Sequence, residues 1–409
     1  MPSKVALVAV GTELSTGFVR DTNIYYLTRA LDAMGLEVQT ATLLPDDRPL
    51  MRAVLTEAMH RSQIVLVTGG LGPTEDDFTK EVLLDLFGGT WREDESTLEH
   101  IKELLLRRNL PLTPSNRQQA VVPSSAEVIP NAFGMAPATL YHYNDGILVS
   151  MPGVPSEMRG IFETELYPRL LSWVGQITHK QLYVFGVAES LLSERLRGWS
   201  SALPRGMALA YLPSSGNVCL RVSYDETQVT GSVATEHIEE LYSLLSGEKL
   251  LQTSLSLPAY IVHTLTERQQ TLAIAESCTG GLVSGKITGV SGASKVYGGG
   301  ICTYIDEAKR RELLVSQDIL EEYTAVSAPV AEAMACGVRA KFGTTYGLAT
   351  TGYMEMVGGA NVTGEVYIGI ATEQRAYAHH FILNQNRLGN QEWSVERAIV
   401  ELLLVLLAE

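Results

Sequence analysis

Cysteine is scarce in this chain: four in 409 residues, at Cys219, Cys278, Cys302 and Cys336, with no CxxC pair and no disulfide-like spacing. That pattern argues against a disulfide framework and against structural zinc, and it fits a reducing cytosol. Basic residues are outnumbered 31 to 46, for a formal net charge of -15. Such a balance opposes any bulk electrostatic hold on nucleic acid or an anionic membrane, so phosphorylated small molecules must be held locally. None of the eight histidines stands in HExxH or another ligand spacing, and His379-His380 lies in a strand-like AYAHHFIL where packing or exposure is the default. Long apolar runs are missing too. AIVELLLVLLA, the most apolar tract near the C-terminus, is short for a membrane span and carries Glu401, which predicts a buried helix. MPSKVALVAVGTEL enters a strand after a single Lys, without the apolar core and cleavage site of a secretory signal. The expectation is a soluble cytoplasmic protein that touches neither membrane nor nucleic acid directly.

What is present is a long chain with alternating patterns, enough for two or three domains. KVALVAVG, the helix-like DTNIYYLTRALDAMG, LEVQTATLL, a helix over 48–61 and IVLVTGG alternate strand with helix, which predicts an α/β domain with a parallel sheet wound on both faces. IVLVTGG and GILVSMPG both run into glycine-bearing loops, and ligands of open α/β sheets sit beyond the carboxyl ends of strands. A pocket is expected there. Over 176–254 the order becomes strand, helix, paired strands GMALAYLP and NVCLRVSYD, and helix, a small KH-like α+β unit without the GxxG loop that clamps a nucleic-acid backbone. From residue 255 a third α/β pattern runs through LAIA, GGICTY, YGLATTG and GEVYIGIA to the closing helix. The expected domains are therefore 1–175, 176–254 and 255–409.

The third pattern contains AESCTGG, residues 275–281. A strand ending at Ala275, a turn with two glycines and a helix-like LVSGKITGV would point backbone N–H groups at one spot, suited to an oxyanion or a phosphate. A plain helix cap explains the same residues. Downstream, GGICTY delivers Tyr304 to a strand end and the next helix carries Lys309; in a parallel sheet both could meet Ser277. A Ser hydroxyl needs a base, and a buried Lys can serve, relayed by Tyr304 or a second Ser such as Ser294. Taken alone, a Lys in IDEAKRR is more often a solvated surface residue. Cys278 is a rival nucleophile with no His nearby in sequence to ionise it.

AESCTGG, GASKVYGGGICTYIDEAK, TAVS (324–327) and LATTG (348–352) resemble the C-terminal domain of the CinA (competence/damage-inducible) proteins. The resemblance implies an amidohydrolase that deamidates nicotinamide mononucleotide to nicotinic acid mononucleotide and ammonia without a cofactor. Its Ser, Tyr, Lys and second Ser match Ser277, Tyr304, Lys309 and Ser294. The expected substrate contacts are Glu276, Cys278, Thr279, Gly280, Gly281, Thr351 and Gly352. After LATTG the chain reads TGYMEMVGGANVTGE, with Tyr353, Met354 and Met356 where the family carries small residues, so the loop against the substrate is expected to differ.

In the first domain VTGGLGPTEDDFTKE, residues 67–81, reads as a strand, a Gly-rich turn and a helix opened by Thr74. Its Gly69, Gly70 and Gly72 could approach a pyrophosphate, and Asp76 and Asp77 could hold a divalent cation; an N-cap with acidic first turn is the plain alternative. VGTELSTG adds Glu13, DTN adds Asp21 and Asn23, SNRQQA adds Asn116, and MPGVPSEM adds Gly153 and Glu157. Together these stretches are similar to the molybdopterin-binding-like, three-layer domain that begins the CinA proteins. The likeness implies hydrolysis of ADP-ribose to AMP and ribose 5-phosphate, assisted by Mg²⁺ or a similar divalent metal and by K⁺. On it, Glu13, Asn23, Gly69, Gly70, Gly72, Thr74, Asn116 and Gly153 would bind substrate and Asp21, Asp76 and Asp77 metal. The whole reads as a homodimeric, two-activity hydrolase of pyridine-nucleotide salvage. The competing expectations are a molybdopterin-binding protein of molybdenum-cofactor synthesis and a non-catalytic nucleotide-sensing scaffold in competence or recombination.

Overall fold

The computed structural model describes every residue except 1–3, 73, 75, 76, 174–176, 356–363 and 409, and the backbone alone at 172. The chain divides into two compact units, Met1–His179 with Ser223–Gly231, and Lys180–Val222 with Ser232–Glu409.

In the first unit the strands Lys4–Val10 and Ile64–Thr68 are buried almost throughout, as near-continuous apolar runs are at the centre of a parallel sheet. Six strands form the sheet in the order 37–44, 4–10, 64–68, 146–151, 138–143, 127–129. The first four run parallel. The strands read from the sequence as parallel are so; beyond them 138–143 runs against its neighbours and 127–129, antiparallel to it in turn, runs with the first four, so the sheet is mixed. The cause is local: Tyr143 pairs with Gly146 across the two-residue loop Asn144-Asp145, with Asn144 at φ 43°, and so short a loop can join only antiparallel neighbours. Successive side chains point to opposite faces, so Val5 and Leu7 join one core with Leu27, Leu31 and Phe162, while Ala6 and Val8 join another with Met51, Leu55 and Leu83. Helices Asn23–Ala33 and Arg48–Arg61 supply those two layers. Asp47 caps the second of them, accepting from Leu50 N, with a Pro in its first turn.

The stretch between the two α/β regions in sequence forms a four-stranded sheet in the order 207–214, 217–225, 177–185, 249–252. Helices Glu189–Ser201 and Gly231–Leu244 accompany it in the order read from the sequence. A five-stranded sheet follows, ordered 297–302, 272–276, 346–353, 365–371, 376–382. Its first three strands are parallel and its last two antiparallel. Ile274 faces the core shared with helix Arg387–Leu406, while Ala273 and Ala275 face helix Ala328–Phe342. The apolar C-terminal tract is thus a buried helix. Its Glu401 is buried with it and pairs with Arg397 and His379. Among the described residues no helix is long and apolar enough to cross a membrane.

Candidate functional site

Strand Leu272–Glu276 is the second of the five, flanked by 297–302 and 346–353, so its carboxyl end is walled by two parallel neighbours. Ser277 follows directly, its N–H bonded to Thr350 O at 2.9 Å. On the other side Thr303 N donates to Glu276 O at 2.7 Å, which carries Tyr304 and helix Asp306–Leu313 to the same end of the sheet. Lys309, in the first turns of that helix, is 2 % exposed, whereas IDEAKRR by itself favours a solvated lysine. Its ammonium lies 3.5 Å from exposed Asp306 and bears electrostatically on the Cys278 thiol, the neighbour of Ser277. Ser277 is 7 % exposed. The parallel sheet therefore brings a hydroxyl and a buried amine to one edge.

Several residues expected to touch substrate have their polar groups taken up within the chain. Glu276 is engaged on both oxygens: Oε2 accepts from Thr279 Oγ1 (2.7 Å), Gly281 N (3.0 Å) and Val283 N (3.0 Å), and Oε1 from Ser284 N (2.8 Å) and Ser284 Oγ (2.6 Å). Its carboxylate occupies the N-terminus of helix Leu282–Thr288, the N–H groups expected to line an oxyanion site. Thr279 is fully buried between Glu276 and the Thr350 hydroxyl. Cys278 packs in the core, where burial pushes its thiol up to about 12 and leaves it inert. Thr351 is buried and donates to Ala325 O at 2.7 Å. Gly352 packs against the next strand, where an added Cβ would stand 2.4 Å from Glu365 O. Gly280 (φ 62°) and Gly281 (φ 98°) make the turn that the left-handed region requires, and Gly280 is exposed.

Ser294 is exposed on the turn before strand Tyr297–Cys302. Since Tyr297 pairs with Leu272 and Cys302 with Glu276, Ser294 sits at the opposite edge of the sheet from Ser277, about 15 Å of strand away. It is no relay between Ser277 and Lys309 within this chain. Tyr304 is 61 % exposed, and its hydroxyl accepts from Arg387 Nη2 at 2.7 Å. Arg387 also pairs with Glu355 at 2.8 Å, joining the loops after two strands. Sequence reasoning missed Arg387, which lies 83 residues from Tyr304 with no local motif to mark it. It also missed Gln391, which donates to Cys278 O at 2.9 Å. In the altered segment Met354 is buried and Tyr353 half-exposed; Met356 lies outside the described residues.

The first unit carries a cleft of about 420 Å³ at the carboxyl ends of strands 4–10, 64–68 and 146–151. Glu13, Asp21, Asn23, Gly69, Gly70, Gly72, Thr74, Asp77 and Gly153 all line it. Gly69 (φ 100°) has no room for a side chain, since a Cβ would meet Val10 O at 2.2 Å, and a Cβ on Gly153 would reach Gly69 Cα at 3.2 Å. Asp21 Oδ1 accepts from Ile24 N at 2.8 Å and Asp77 Oδ2 from Thr74 N at 3.0 Å, so each carboxylate is steadied by the backbone. The helix after the Gly-rich turn starts at Thr79, so Thr74 is not its cap. Lys80 in that helix donates to Gln119 O (2.9 Å) and Val121 O (3.0 Å), and burial lowers its ammonium to about 8 against the charges of Glu81 and Asp77.

Asn116 is not in the cleft. Its side chain forms a capping box with Thr113 and contacts Met135 Sδ, which answers its polar groups locally. Glu157 likewise turns away to Asn131 Nδ2 at 2.6 Å. Asp76 lies outside the described residues. Among the described residues no three His, Cys, Asp or Glu side chains converge as a metal cage.

Fold and sites together define an α/β protein whose N-terminal part is molybdopterin-binding-like, with candidate ligand sites at the carboxyl ends of two separate sheets. Residues 6–172 match the family model of a probable molybdopterin binding domain and 254–406 that of the CinA C-terminal domain. A CinA-like protein of Flavobacterium psychrophilum is 36 % identical over 417 residues, spanning 99 % of this chain and 98 % of that relative. Another, from Salinibacter ruber, is 36 % identical over 97 % of this chain and 98 % of its own length. The crystal structure of a CinA protein of unknown function from Thermoplasma acidophilum, 28 % identical, covers 41 % of this chain and 98 % of that one at a TM-score of 0.38. This chain belongs to the CinA family.

Proposed function

We propose that the chain is a bifunctional hydrolase of pyridine-nucleotide salvage, deamidating nicotinamide mononucleotide at the C-terminal site and cleaving ADP-ribose to AMP and ribose 5-phosphate in the N-terminal cleft. The observation that carries the first activity is the burial of Lys309 at the strand end that presents Ser277. A lysine withdrawn from water in a first helical turn needs a reason, and taking the proton of the Ser277 hydroxyl is the one this reading supplies. Ser277 Oγ would attack the amide carbon as Lys309 takes its proton. The C–N bond then breaks, Lys309 returns the proton to the departing ammonia, and water releases the acid from the resulting acyl ester. Arg387 holds the Tyr304 phenol at the same strand ends.

In the cleft, glycine turns let backbone approach a diphosphate while Asp21, Asp77 and Glu13 offer hard oxygen donors. These three do not converge as a cage, but Mg²⁺ is commonly held by one or two carboxylates plus substrate phosphate oxygens, a role Asp21 or Asp77 would fill, with K⁺ as a second cation. The bound cations would neutralise diphosphate charge. On this reading the protein works as a cytoplasmic homodimer on free nucleotides. Pterin binding is the second reading, favoured by the description of the N-terminal family model.

Ammonia release from nicotinamide mononucleotide by the full chain, lost in Ser277→Ala and in Lys309→Met, is the expected result. A wild-type protein that releases none at any substrate level sinks the deamidase. AMP formation from ADP-ribose with Mg²⁺, lowered by Asp77→Ala, tests the cleft; tight pterin binding without hydrolysis would favour the second reading.

A further inference from the structure

One apolar layer of the C-terminal sheet ends in three polar side chains. Ala273 and Ala275 of strand 272–276, Ile301 of strand 297–302 and Leu313 of helix Asp306–Leu313 pack together against helix Ala328–Phe342. Side chains alternate along a strand, so Ser277, two residues past Ala275, and Thr303, two past Ile301, stay on that face. Ala275 pairs with Ile301 and the ladder continues through Thr303 N to Glu276 O, which sets the Cα atoms of Thr303 and Ser277 about 5 Å apart. Lys309 is one helical turn before Leu313, on the same buried side of its helix. Thr303 thus stands beside the nucleophile, on the strand that leads to the amine.

Thr303 is fully buried, and its Oγ1 has no hydrogen-bond partner among the described residues. Neither Ser277 Oγ nor Lys309 Nζ makes a hydrogen bond there; the amine has only its ion pair with exposed Asp306 at 3.5 Å. The two groups expected to carry a proton between them are placed elsewhere, since Tyr304 is exposed and bonded to Arg387 and Ser294 lies at the other end of the strand. A buried, unpaired hydroxyl is destabilising, and valine would fill the same space without one. What the hydroxyl adds is the capacity to accept one proton while giving up another. Catalytic hydrogen bonds often close only when substrate is bound. We propose that Thr303 is the proton relay of the C-terminal site. As Ser277 Oγ attacks, its proton passes to Thr303 Oγ1 while the Thr303 proton passes to unprotonated Lys309 Nζ, leaving Thr303 unchanged and Lys309 as the ammonium. The inference rests on the Ser277–Lys309 chemistry of the proposed deamidase and not on nicotinamide mononucleotide as its substrate.

The test compares the full chain with Thr303→Val, which replaces the hydroxyl by a methyl, and with Thr303→Ser, which keeps it. Acetylation of Ser277 by p-nitrophenyl acetate, read by mass spectrometry, needs only the nucleophile: the Ser277 Oγ–C bond forms, the ester C–O bond breaks and p-nitrophenolate leaves. Ammonia release from nicotinamide mononucleotide gives kcat and KM. Thr303→Val is expected to slow both acetylation and kcat by about 100-fold, with KM unchanged and a urea midpoint no lower than wild type, because the group lost is unpaired. Thr303→Ser restores most of both rates. Equal acetylation of wild type and Thr303→Val overturns the relay. A lowered urea midpoint, or a variant that does not fold, also overturns it, since the hydroxyl would then be a structural group held by a trapped water. Thr303-dependent acetylation without ammonia release defeats the deamidase reading alone, and ammonia release with Thr303-independent acetylation defeats the relay alone. Should wild-type Ser277 resist the ester, kcat decides, and an unchanged kcat in Thr303→Val overturns the relay; resistance with no ammonia release overturns both.

Discussion

Replacing Glu276 by Gln separates a structural carboxylate from a substrate contact. The five hydrogen bonds it accepts require acceptor oxygens on both sides. Glutamine has one. Turned toward Thr279, Gly281 and Val283, its oxygen keeps three of those donors, but its NH₂ then faces Ser284, whose hydroxyl can rotate to accept while its N–H cannot. The opposite orientation strands both Gly281 N and Val283 N, so the first costs less. One buried N–H left unpaired costs about 1–3 kcal/mol, and removing charge from a helix N-terminus costs about 0.3–2 kcal/mol more. The expected loss is thus about 1.3–5 kcal/mol. It is local to the 276–284 turn, so amide hydrogen exchange at Gly281, Val283 and Ser284 should accelerate by roughly tenfold or more, alongside a lowered urea midpoint. A midpoint change under about 0.5 kcal/mol with unaltered exchange would refute the capping role. A variant of undiminished stability with a raised KM would return Glu276 to the substrate.

Three further outcomes are expected. Burial lowers the Lys80 ammonium from 10.5 to about 8 in the folded chain, so between those values the unfolded chain binds more protons. Wild-type stability relative to Lys80→Met should therefore climb as pH rises from about 8 toward 10.5 and stay level below 8; urea midpoints that differ by a constant amount across that range contradict it. Gly69→Ala forces a φ of 100° and a clash with Val10 O on a residue with Cβ, which should cost about 2–4 kcal/mol and abolish ribose 5-phosphate binding in calorimetry. Arg387→Ala frees the Tyr304 phenol but breaks only exposed contacts. Stability should move by less than about 1 kcal/mol while ammonia release falls by about tenfold in kcat, and unchanged kcat would remove Arg387 from the site.

Local patterns were legible in the sequence because they obey local rules. Apolar runs of 4–10 and 64–68 became central strands, the 48–61 helix appeared at the bounds read, and glycines at 69, 70, 280 and 281 took the positive φ that turns demand. Glycine turns and strand ends also marked both regions where candidate residues gather. The direction each polar side chain faces was not legible. Thr279 and Thr351 read as ligand groups, but a hydroxyl at a strand end is taken by whichever donor or acceptor lies closest, here Glu276 and Ala325 O. Ser294 does not meet Ser277 within this chain because strand polarity, invisible in a motif, put it at the far end of the sheet. Lys309 went the other way: IDEAKRR describes a solvated helix start, and only the packing of that helix withdraws the amine from water. Chain order and periodicity determined the elements, and the quoted motifs carried the resemblance to the family. Which polar groups answer one another is a matter of contacts 26 to 83 residues apart, such as Thr351 with Ala325 and Tyr304 with Arg387. Those were decided by tertiary structure, since hydrogen bonding depends on distance and direction in space and not on separation along the chain.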